Sequence, residues 1–178
     1  MGRGGHGSAY KGVLDDGTIV AVKVIHSATS RGAYKRLIKE CRTLGRVRHR
    51  NLVRIVGVSS SLQVKSLVME FMSQGSLDMH LHCSENNSKL GLKRRLSILK
   101  EVAHGMAYLH HHCSPAIVHG DLKPSNVLLD ETMTAHVGDF GISCLVTSAA
   151  RHDNSTAALT DTSSLVIGSI GYTAPGKC

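Results

Sequence analysis

His119-Gly120-Asp121-Leu122-Lys123-Pro124-Ser125-Asn126, with Asp139-Phe140-Gly141 further along the chain, is the most informative stretch of this sequence. Short apolar runs surround it, and each is followed or preceded by charged or amide residues. The runs are Ile117-Val118, Val127-Leu128-Leu129 and Ala135-His136-Val137. Such runs are typical of short strands. The pattern therefore predicts strands whose connecting loops carry carboxylate, amide and amine groups.

The segments on either side of this region have contrasting patterns. Upstream, apolar residues at helical spacing predict a helix from about Lys93 to His111, which Ser114-Pro115 ends. The predicted apolar stripe of this helix is Leu96, Leu99, Ala103 and Met106. Downstream, residues 142–167 are rich in Ser, Thr, Ala and Asp and show no periodicity, which predicts a long loop. Loops of that length in compact domains are usually functional.

The N-terminal part is predicted to be a sheet with one helix. Residues 9–14 and 18–25 are β-rich runs joined by Asp15-Asp16-Gly17, a sequence suited to a tight hairpin. Further strands are predicted at 52–58 and 66–71. Between these pairs, residues 31–45 have the period of an amphipathic helix. The predicted apolar stripe of this helix is Tyr34, Leu37, Ile38, Cys41 and Leu44.

A lysine inside the second strand is a candidate functional residue. Lys23 shares its strand face with the small residue Ala21, because side chains alternate with a period of two. A lysine that faces inward needs a partner. Glu40 borders the buried stripe of the predicted helix, and we interpret it as the only nearby acid with the right orientation. The sequence therefore predicts a Lys23–Glu40 ion pair.

A glycine run precedes these strands. Gly2-Arg3-Gly4-Gly5-His6-Gly7 would let backbone N–H groups approach a polyphosphate, although the run alone is a weak signal. A dinucleotide-binding fold would need a strand before the run and a helix directly after it. A strand, a hairpin and a second strand follow instead, which argues against a dinucleotide site.

Length and composition limit the possible classes of protein. The chain has 178 residues, 42% of them hydrophobic, which is enough for one globular domain, and no apolar run is long enough to span a membrane. Five cysteines without a Cys-x-x-Cys pair exclude a disulfide framework and a zinc ribbon. These features predict an intracellular chain with reduced thiols. His110-His111-His112-Cys113 could suggest a metal site, but adjacent side chains at a helix end diverge.

The net charge of +8 is local. Residues 31–54 hold nine Lys or Arg and one acid, Glu40. A basic patch can bind nucleic acid, a membrane surface or phosphate groups. The two Phe, four Tyr and no Trp of the chain argue against a platform that stacks single-stranded bases. A charge run on a helix is most often a solvated face.

Taken with the glycine run, Lys23 and Glu40, the two motifs around Asp121 and Asp139 resemble those of protein kinase catalytic domains. Other phrases are similar to plant leucine-rich-repeat receptor-like kinases. These phrases are Tyr10-Lys11-Gly12, Arg48-His49-Arg50-Asn51-Leu52-Val53, Gly75-Ser76-Leu77-Asp78 and Asn126-Val127-Leu128-Leu129-Asp130. The resemblance covers essentially the whole chain. It implies an α+β two-lobed fold, with an N-lobe and hinge at 1–72 and a partial C-lobe at 73–178.

The resemblance implies an ATP-dependent protein serine/threonine kinase with ATP and Mg²⁺ as cofactors. Asp121 would be the base, and Lys123 would stabilise charge on the transferred phosphoryl group. Asn126 and Asp139 would hold Mg²⁺, since hard oxygen ligands suit magnesium. Lys123 and Ser169 occupy positions that favour Ser/Thr over Tyr substrates in the family.

The resemblance also implies a nucleotide site. Gly2, Gly4 and Gly7 would cover the phosphates, and Lys23, held by Glu40, would bind the α- and β-phosphates. The positions implied to contact or border adenine are Ala9, Ala21, Met69 as gatekeeper, Glu70 and Met72 of the hinge, and Leu128. A stacked hydrophobic column typical of the active arrangement would contain Leu44, Ile55, His119 and Phe140.

The sequence departs from the family pattern in several places. Gly120 stands where most kinases have an arginine that clamps a phosphorylated activation loop, which implies the non-RD class. His6 and Ala9 replace an aromatic residue and a valine, and should weaken nucleotide packing modestly. The chain also looks incomplete at both ends. It starts within the first strand, and Gly176 follows Tyr172-Thr173-Ala174-Pro175 in place of glutamate, within the Ala-Pro-Glu motif region.

Two alternatives remain open at this stage. One is a catalytically inactive nucleotide-binding fragment or pseudogene product, and the other is a basic nucleic-acid-binding module. The resemblance favours a protein substrate with Ser or Thr, no nucleic acid, and membrane attachment only through an upstream segment that this chain lacks. The expected location is cytoplasmic, at the inner face of the plasma membrane if the chain derives from a full receptor-like kinase.

Overall fold

The computed structural model describes residues 3–4, 7–25, 45, 47–60, 65–82, 90–140, 144–146, 168–169 and 171–172. Of these, residues 3, 4, 7, 25, 60, 65 and 144–146 are described by their backbone alone. The predicted helix over 31–45, with Glu40 and Leu44, lies outside the described residues, as do Gly2 and His6.

The N-terminal strands form one antiparallel sheet. Among the described residues its strands are β1 (Arg3–Gly4), β2 (Gly7–Val13), β3 (Ile19–Ile25), β4 (Ile55–Ser60) and β5 (Lys65–Glu70), in the spatial order β1-β2-β3-β5-β4. Asp15-Asp16-Gly17 turns the chain between β2 and β3. Gly17 has a φ of 84°, a left-handed conformation that favours glycine. The predicted hairpin is confirmed.

The third predicted strand is displaced along the chain. Residues 52–58 were expected to form it, but β4 runs from Ile55 to Ser60. The hydrogen bonds of the preceding residues explain the difference. Val53 donates its N–H to the carbonyl of Val137 (2.9 Å), and Val137 donates its N–H to the carbonyl of Asn51 (2.9 Å). The segment before β4 is therefore bonded to the C-terminal part of the molecule instead of to β5.

The C-terminal part combines helices with short strands. Its described elements are β6 (Gly75–Ser76), α1 (Leu77–His82), α2 (Leu92–Ala107), a π-helical turn (Tyr108–His112), β7 (Ala116–Val118), a 3₁₀ turn (Pro124–Asn126), β8 (Val127–Leu129), β9 (Ala135–Val137) and β10 (Cys144–Val146). Strands β6, β8 and β9 form a three-stranded sheet, and β10 pairs with β7. The three short strands predicted from the apolar runs are confirmed. Strand β10 falls within the segment predicted to be loop, so that prediction is wrong there.

The buried face of α2 is not the predicted one. Leu96 and Leu99 are 50% and 60% exposed, whereas Ile98 and Val102 are buried. Gly105 continues the buried stripe because it lets the helix approach residue 51. A Cβ added at Gly105 would lie 2.9 Å from the carbonyl oxygen of Asn51. Two apolar stripes share this helix, and close packing at glycine selects the one that faces the core.

The core joins the two parts of the molecule. Its buried hydrophobic members are Val47, Leu52, Ile55, Leu67, Leu90, Ile98, Val102, Leu109, Ile117, Val127, Leu129, Ala135, Val137 and Phe140. They come from both the N-terminal sheet and the C-terminal elements, so burial of apolar area holds the sheet against the helices. Within the described part of the chain, no helix has the length and apolar character needed to cross a membrane.

Candidate active site

The polar loop after β7 gathers four of the predicted site residues. Gly120 turns the chain with a φ of 85°, and Pro124 begins the 3₁₀ turn that ends at Asn126. Proline is favoured at the first position of such a turn because its fixed φ suits the helix and its missing N–H is not needed. This local geometry turns Asn126 back onto Asp121. The amide Nδ2 of Asn126 donates to the backbone carbonyl of Asp121 (2.8 Å).

The Asp121 carboxylate has two unlike oxygens. Its Oδ2 accepts a hydrogen bond from Asn126 Nδ2 (3.1 Å) and lies 3.0 Å from Lys123 Nζ. Its Oδ1 is buried and has no hydrogen-bond partner. Burial raises the pKa of Asp121, but hydrogen bonds from Ser169, Lys123 and Asn126 together with the charge of Lys123 outweigh burial, so its pKa lies below the ordinary value. Asp121 is therefore ionised at neutral pH, with one oxygen held and the other without a partner.

Ser169 reaches this loop from a distant part of the chain. Lys123 Nζ donates to Ser169 Oγ at 2.5 Å. The side chain of Ser169 also donates a hydrogen bond to Asp121, which contributes to the lowered pKa of that carboxyl. The structure thus brings together Asp121, Lys123, Asn126 and Ser169, all four of the residues predicted to be catalytic.

The second charged pair joins β3 to the segment after β9. Lys23 Nζ lies 2.8 Å from Asp139 Oδ1. Burial raises the pKa of Asp139, but the charge and hydrogen bond of Lys23 outweigh it and lower the pKa. The interpretation of Glu40 as the only nearby acid is wrong, because Asp139 approaches Lys23 from the other part of the molecule. Glu40 itself lies outside the described residues.

His119 connects the two charged pairs. Its Nδ1 accepts the backbone N–H of Asp121 (3.1 Å), so the ring proton is on Nε2, which donates to the carbonyl of Gly138 (2.9 Å). The ring is 1% exposed, and burial lowers its pKa, which keeps the imidazole neutral. It also packs on Phe140, with ring centroids 4.6 Å apart. One neutral imidazole therefore ties the backbone of Asp121 to the residue before Asp139.

Comparisons with known proteins agree with this geometry. The protein kinase domain model matches residues 1–176. The chain belongs to the protein kinase family. Its relatives in Arabidopsis thaliana include three receptor kinases, each covered over only part of its length. They are the LRR receptor-like serine/threonine-protein kinases GSO2 (41% identical, 98% of this chain and 14% of the relative) and EFR (40%, 98% and 18%), and wall-associated receptor kinase 3 (46%, 82% and 20%). The chain spans about a fifth or less of the length of these relatives.

The positions that kinases use to hold adenine lie at the junction of β3 and β5. Ala21 pairs with Met69 across the two strands, and Val20 pairs with Glu70. Two backbone groups of this segment have partners within the protein. Glu70 donates its N–H to the carbonyl of Arg54 (3.1 Å), and the carbonyl of Met72 accepts the N–H of Gly75 (3.2 Å).

Other predicted nucleotide residues are described to different extents. Ala9 lies opposite Lys23 in the β2–β3 ladder, and Gly4 pairs with Gly7 where β1 meets β2. Leu128 lies in β8, opposite His136. Of the predicted hydrophobic column, Ile55, His119 and Phe140 are buried, and Leu44 lies outside the described residues.

Sequence reasoning missed two side chains that support the site. Asn51 is 1% exposed, and its Nδ2 donates to the carbonyl of Ala135 (3.0 Å). Glu101 of α2 accepts the N–H of Ala135 through Oε2 (2.7 Å). Both hold the start of β9, which leads to Asp139. The phrase Arg48-His49-Arg50-Asn51-Leu52-Val53 marked the region of Asn51, but no pattern marked Glu101.

The histidine-rich end of α2 gives no metal centre. In the ranges that the structure describes, no group of three or more His, Cys, Asp or Glu side chains is placed to hold a metal ion. His49, Tyr108 and His112 stack on one another instead, with successive centroids 4.9 and 6.0 Å apart.

Proposed function

We propose that this chain is the catalytic domain of a protein serine/threonine kinase, which transfers the γ-phosphoryl group of Mg-ATP to a Ser or Thr hydroxyl of a protein. The observation that carries the proposal is the Asp121 carboxylate, ionised by its neighbours and with Oδ1 left without a partner. Family membership supplies the reaction class, and the residue roles follow from the contacts described above.

Asp121 is proposed as the general base. Lys123 and Asn126 hold Oδ2, which fixes the carboxylate, while Oδ1 is left to accept the proton of the substrate hydroxyl. As that proton moves to Oδ1, the hydroxyl oxygen forms a bond to the γ-phosphorus, and the bond to the oxygen that bridges β- and γ-phosphorus breaks. ADP is the leaving group. Positioning of this kind is the main contribution that a kinase makes to phosphoryl transfer.

Lys123 and Ser169 are proposed to act next to the base. The Lys123 ammonium lies 3.0 Å from Asp121 Oδ2, so its positive charge is available to the phosphoryl oxygens as they gain charge. The hydrogen bond from Lys123 to Ser169 limits where that ammonium can lie. We propose that this arrangement favours Ser and Thr over Tyr as acceptors.

Asn126 and Asp139 suit a magnesium ion. The Nδ2 of Asn126 is used toward Asp121, and Asp139 bonds Lys23 through Oδ1. This leaves Asn126 Oδ1 and Asp139 Oδ2 without hydrogen-bond partners among the described residues. Amide and carboxylate oxygens are the hard ligands that Mg²⁺ prefers. When bound, the ion would neutralise phosphate charge, and these two residues would hold it.

The nucleotide-binding roles are proposals of the same kind. Lys23 would bind the α- and β-phosphates with Glu40 as a second partner, and the backbone at Gly2, Gly4 and Gly7 would cover the phosphates. Ala9, Ala21, Met69 and Leu128 would border the base. Because Glu70 N–H and the Met72 carbonyl already have partners, we propose the Glu70 carbonyl and the Met72 N–H as the groups that bind adenine. Residues 1–72 would then be the N-lobe and hinge, and 73–178 the C-lobe part.

Regulation and cellular context are also proposed from family membership. Gly120 offers no guanidinium to a phosphorylated activation loop, which favours the non-RD class and a switch other than phosphorylation of that loop. The named relatives are receptor-like kinases, so we propose a signalling or defence role at the inner face of the plasma membrane. A protein with Ser or Thr residues would be the substrate.

Transfer of labelled phosphate tests this proposal. The 178-residue chain is incubated with γ-labelled ATP, Mg²⁺ and a generic basic protein, and the labelled amino acids are identified. We expect label on Ser and Thr and none on Tyr. Binding of Mg-ATP without transfer would select the inactive nucleotide-binding alternative, and salt-dependent binding of DNA or RNA unaffected by ATP would select the nucleic-acid alternative.

A further inference from the structure

A second concave site lies on the opposite side of residue 70 from the proposed adenine contacts. A cavity of about 310 Å³ is enclosed by the loop over residues 47–54, the end of β5 and strand β9. Its polar walls are formed by Arg48, His49, Arg50, Arg54, Glu70 and His136, and Val47 and Leu52 add apolar surface. We call it the arginine cavity. Except for Glu70, it contains none of the residues proposed above to act in phosphoryl transfer.

The arginine cavity carries an excess of positive charge. It holds three guanidinium groups and one carboxylate, and that carboxylate is engaged by backbone, since Glu70 Oε1 accepts the N–H of Arg54 (2.7 Å). The Arg48 side chain reaches the Val47 carbonyl at 3.4 Å. The guanidinium groups of Arg50 and Arg54 have no hydrogen bond or ion pair with any described residue. The positive charge of this site is therefore poorly compensated within the described chain.

The neighbouring histidine senses the same charge. Burial lowers the pKa of His49, and Arg50, His104 and His112 lower it further by charge repulsion. His49 Nδ1 accepts the backbone N–H of Asn51 (3.1 Å), which fixes the ring in the wall of the cavity. An anion that entered the cavity would meet a positive field instead of an already paired network.

The backbone of the arginine cavity is held in place before any ligand arrives. Leu52 and Val53 are each 3% exposed, and Leu52 donates its N–H to the carbonyl of His49 (3.1 Å). The exchange of hydrogen bonds between residues 51–53 and Val137 anchors the same loop to β9. A preformed wall lowers the entropy cost of binding. This separates the site from an ordinary solvated basic face.

We propose that the arginine cavity binds a phosphate monoester, of the kind carried by a phosphorylated serine or threonine side chain. The planar fork of arginine matches phosphate oxygens with paired hydrogen bonds, and a dianion gains more than a carboxylate from several cations. Val47 and Leu52 offer apolar contact to the carbon atoms that carry the ester. The inference concerns binding, so it does not depend on the proposed catalytic roles.

Fluorescence anisotropy with a labelled phosphoserine peptide and its unphosphorylated twin tests the proposal. A saturating non-hydrolysable ATP analogue with Mg²⁺ keeps the peptide from the proposed phosphate-binding residues around Lys23. The double variant Arg50→Gln/Arg54→Gln removes two charges from the cavity. The matched control Lys93→Gln/Lys100→Gln removes two charges from exposed positions of α2. We expect the affinity for the phosphopeptide to fall about tenfold or more in the first variant and to change less than twofold in the control.

Further arms keep the result interpretable. Arg50→Lys/Arg54→Lys preserves charge without the fork and should give an intermediate loss. Competition by inorganic phosphate at concentrations near its own affinity would show that the phosphate group alone is recognised, and weaker competition would show that the peptide contributes. Thermal stabilisation by Mg-ATP is followed in every variant, so failure of the proposed nucleotide site is seen separately. Equal loss in both glutamine variants, or equal affinity for the two peptides, would overturn the proposal.

Discussion

The two lysine–aspartate pairs of the site are similar in chemistry and different in origin. Lys123 and Asp121 are two residues apart in one loop, with side chains 24% and 14% exposed, and lie 3.0 Å apart. Lys23 and Asp139 are 116 residues apart, with side chains 23% and 47% exposed, and lie 2.8 Å apart. The first pair depends on a local turn, and the second on how the N-terminal sheet sits against β9.

This difference assigns the pairs to different parts of the proposed mechanism. A local pair keeps its geometry whenever the loop is folded, which suits a base and a charge stabiliser. A pair that joins the two parts of the molecule is more exposed at its acid, so a nucleotide and its metal could take over both partners. His119 couples them, because it accepts the N–H of Asp121 and donates to the carbonyl of Gly138.

The largest expected effect comes from breaking the long-range pair with Lys23→Met. Transfer should fall at least about a hundredfold, because a positive charge that faces phosphate oxygens is lost. Thermal stabilisation by Mg-ATP should disappear. The apo protein should lose at most about 1 kcal/mol, since partly exposed ion pairs contribute little to stability. Lys100→Met, at an exposed position of α2, is the control. An unchanged response to Mg-ATP in Lys23→Met would exclude the proposed role of this lysine.

Breaking the local pair with Lys123→Gln should give a smaller and different loss. Transfer should fall roughly tenfold to a hundredfold while Mg-ATP binding stays within about twofold. Lys123 also lowers the pKa of Asp121, so its removal should shift the acid limb of the pH profile of kcat/KM to higher pH. The profile of the parent chain is the reference. An acid limb that does not move would show that Lys123 does not hold Asp121 in its ionised form.

The smallest expected effect is on acid stability. The pKa values of Asp121 and Asp139 are both lowered below 3.8, so each contributes stability that is present above the unfolded-state value and lost as pH falls through the folded-state value. Urea midpoints should therefore drop below about pH 4. The contribution of the half-exposed Asp139 should be about 1 kcal/mol or less, and Asp139→Asn should flatten the drop. Equal slopes in parent and variant would contradict a lowered pKa at Asp139.

Features specified by short-range sequence were predicted well. The hairpin around Gly17 and the short strands between Ala116 and Val137 follow from turn residues and apolar runs. The cluster of Asp121, Lys123 and Asn126 follows from a motif in which all three side chains lie within one turn. In each case the information needed is contained in about ten consecutive residues.

Features specified by packing between distant segments were not predicted. Both stripes of α2 have helical spacing, and only the close approach at Gly105 to Asn51 decides which one is buried. Strand β10 exists because β7 lies beside it, not because of its own pattern. Likewise, the acid beside Lys23 could be assigned only once Asp139 was placed. The arginine cavity needs residues 48–54, 70 and 136 together, which no single motif contains.

The most direct test of the central claim compares transfer and nucleotide binding in Asp121→Asn. Asparagine keeps the size of the side chain and removes the basic oxygen. At neutral pH we expect transfer of labelled phosphate to fall at least about a thousandfold, with Mg-ATP stabilisation unchanged within error. Transfer within about tenfold of the parent chain would contradict the assignment of Asp121 as the general base.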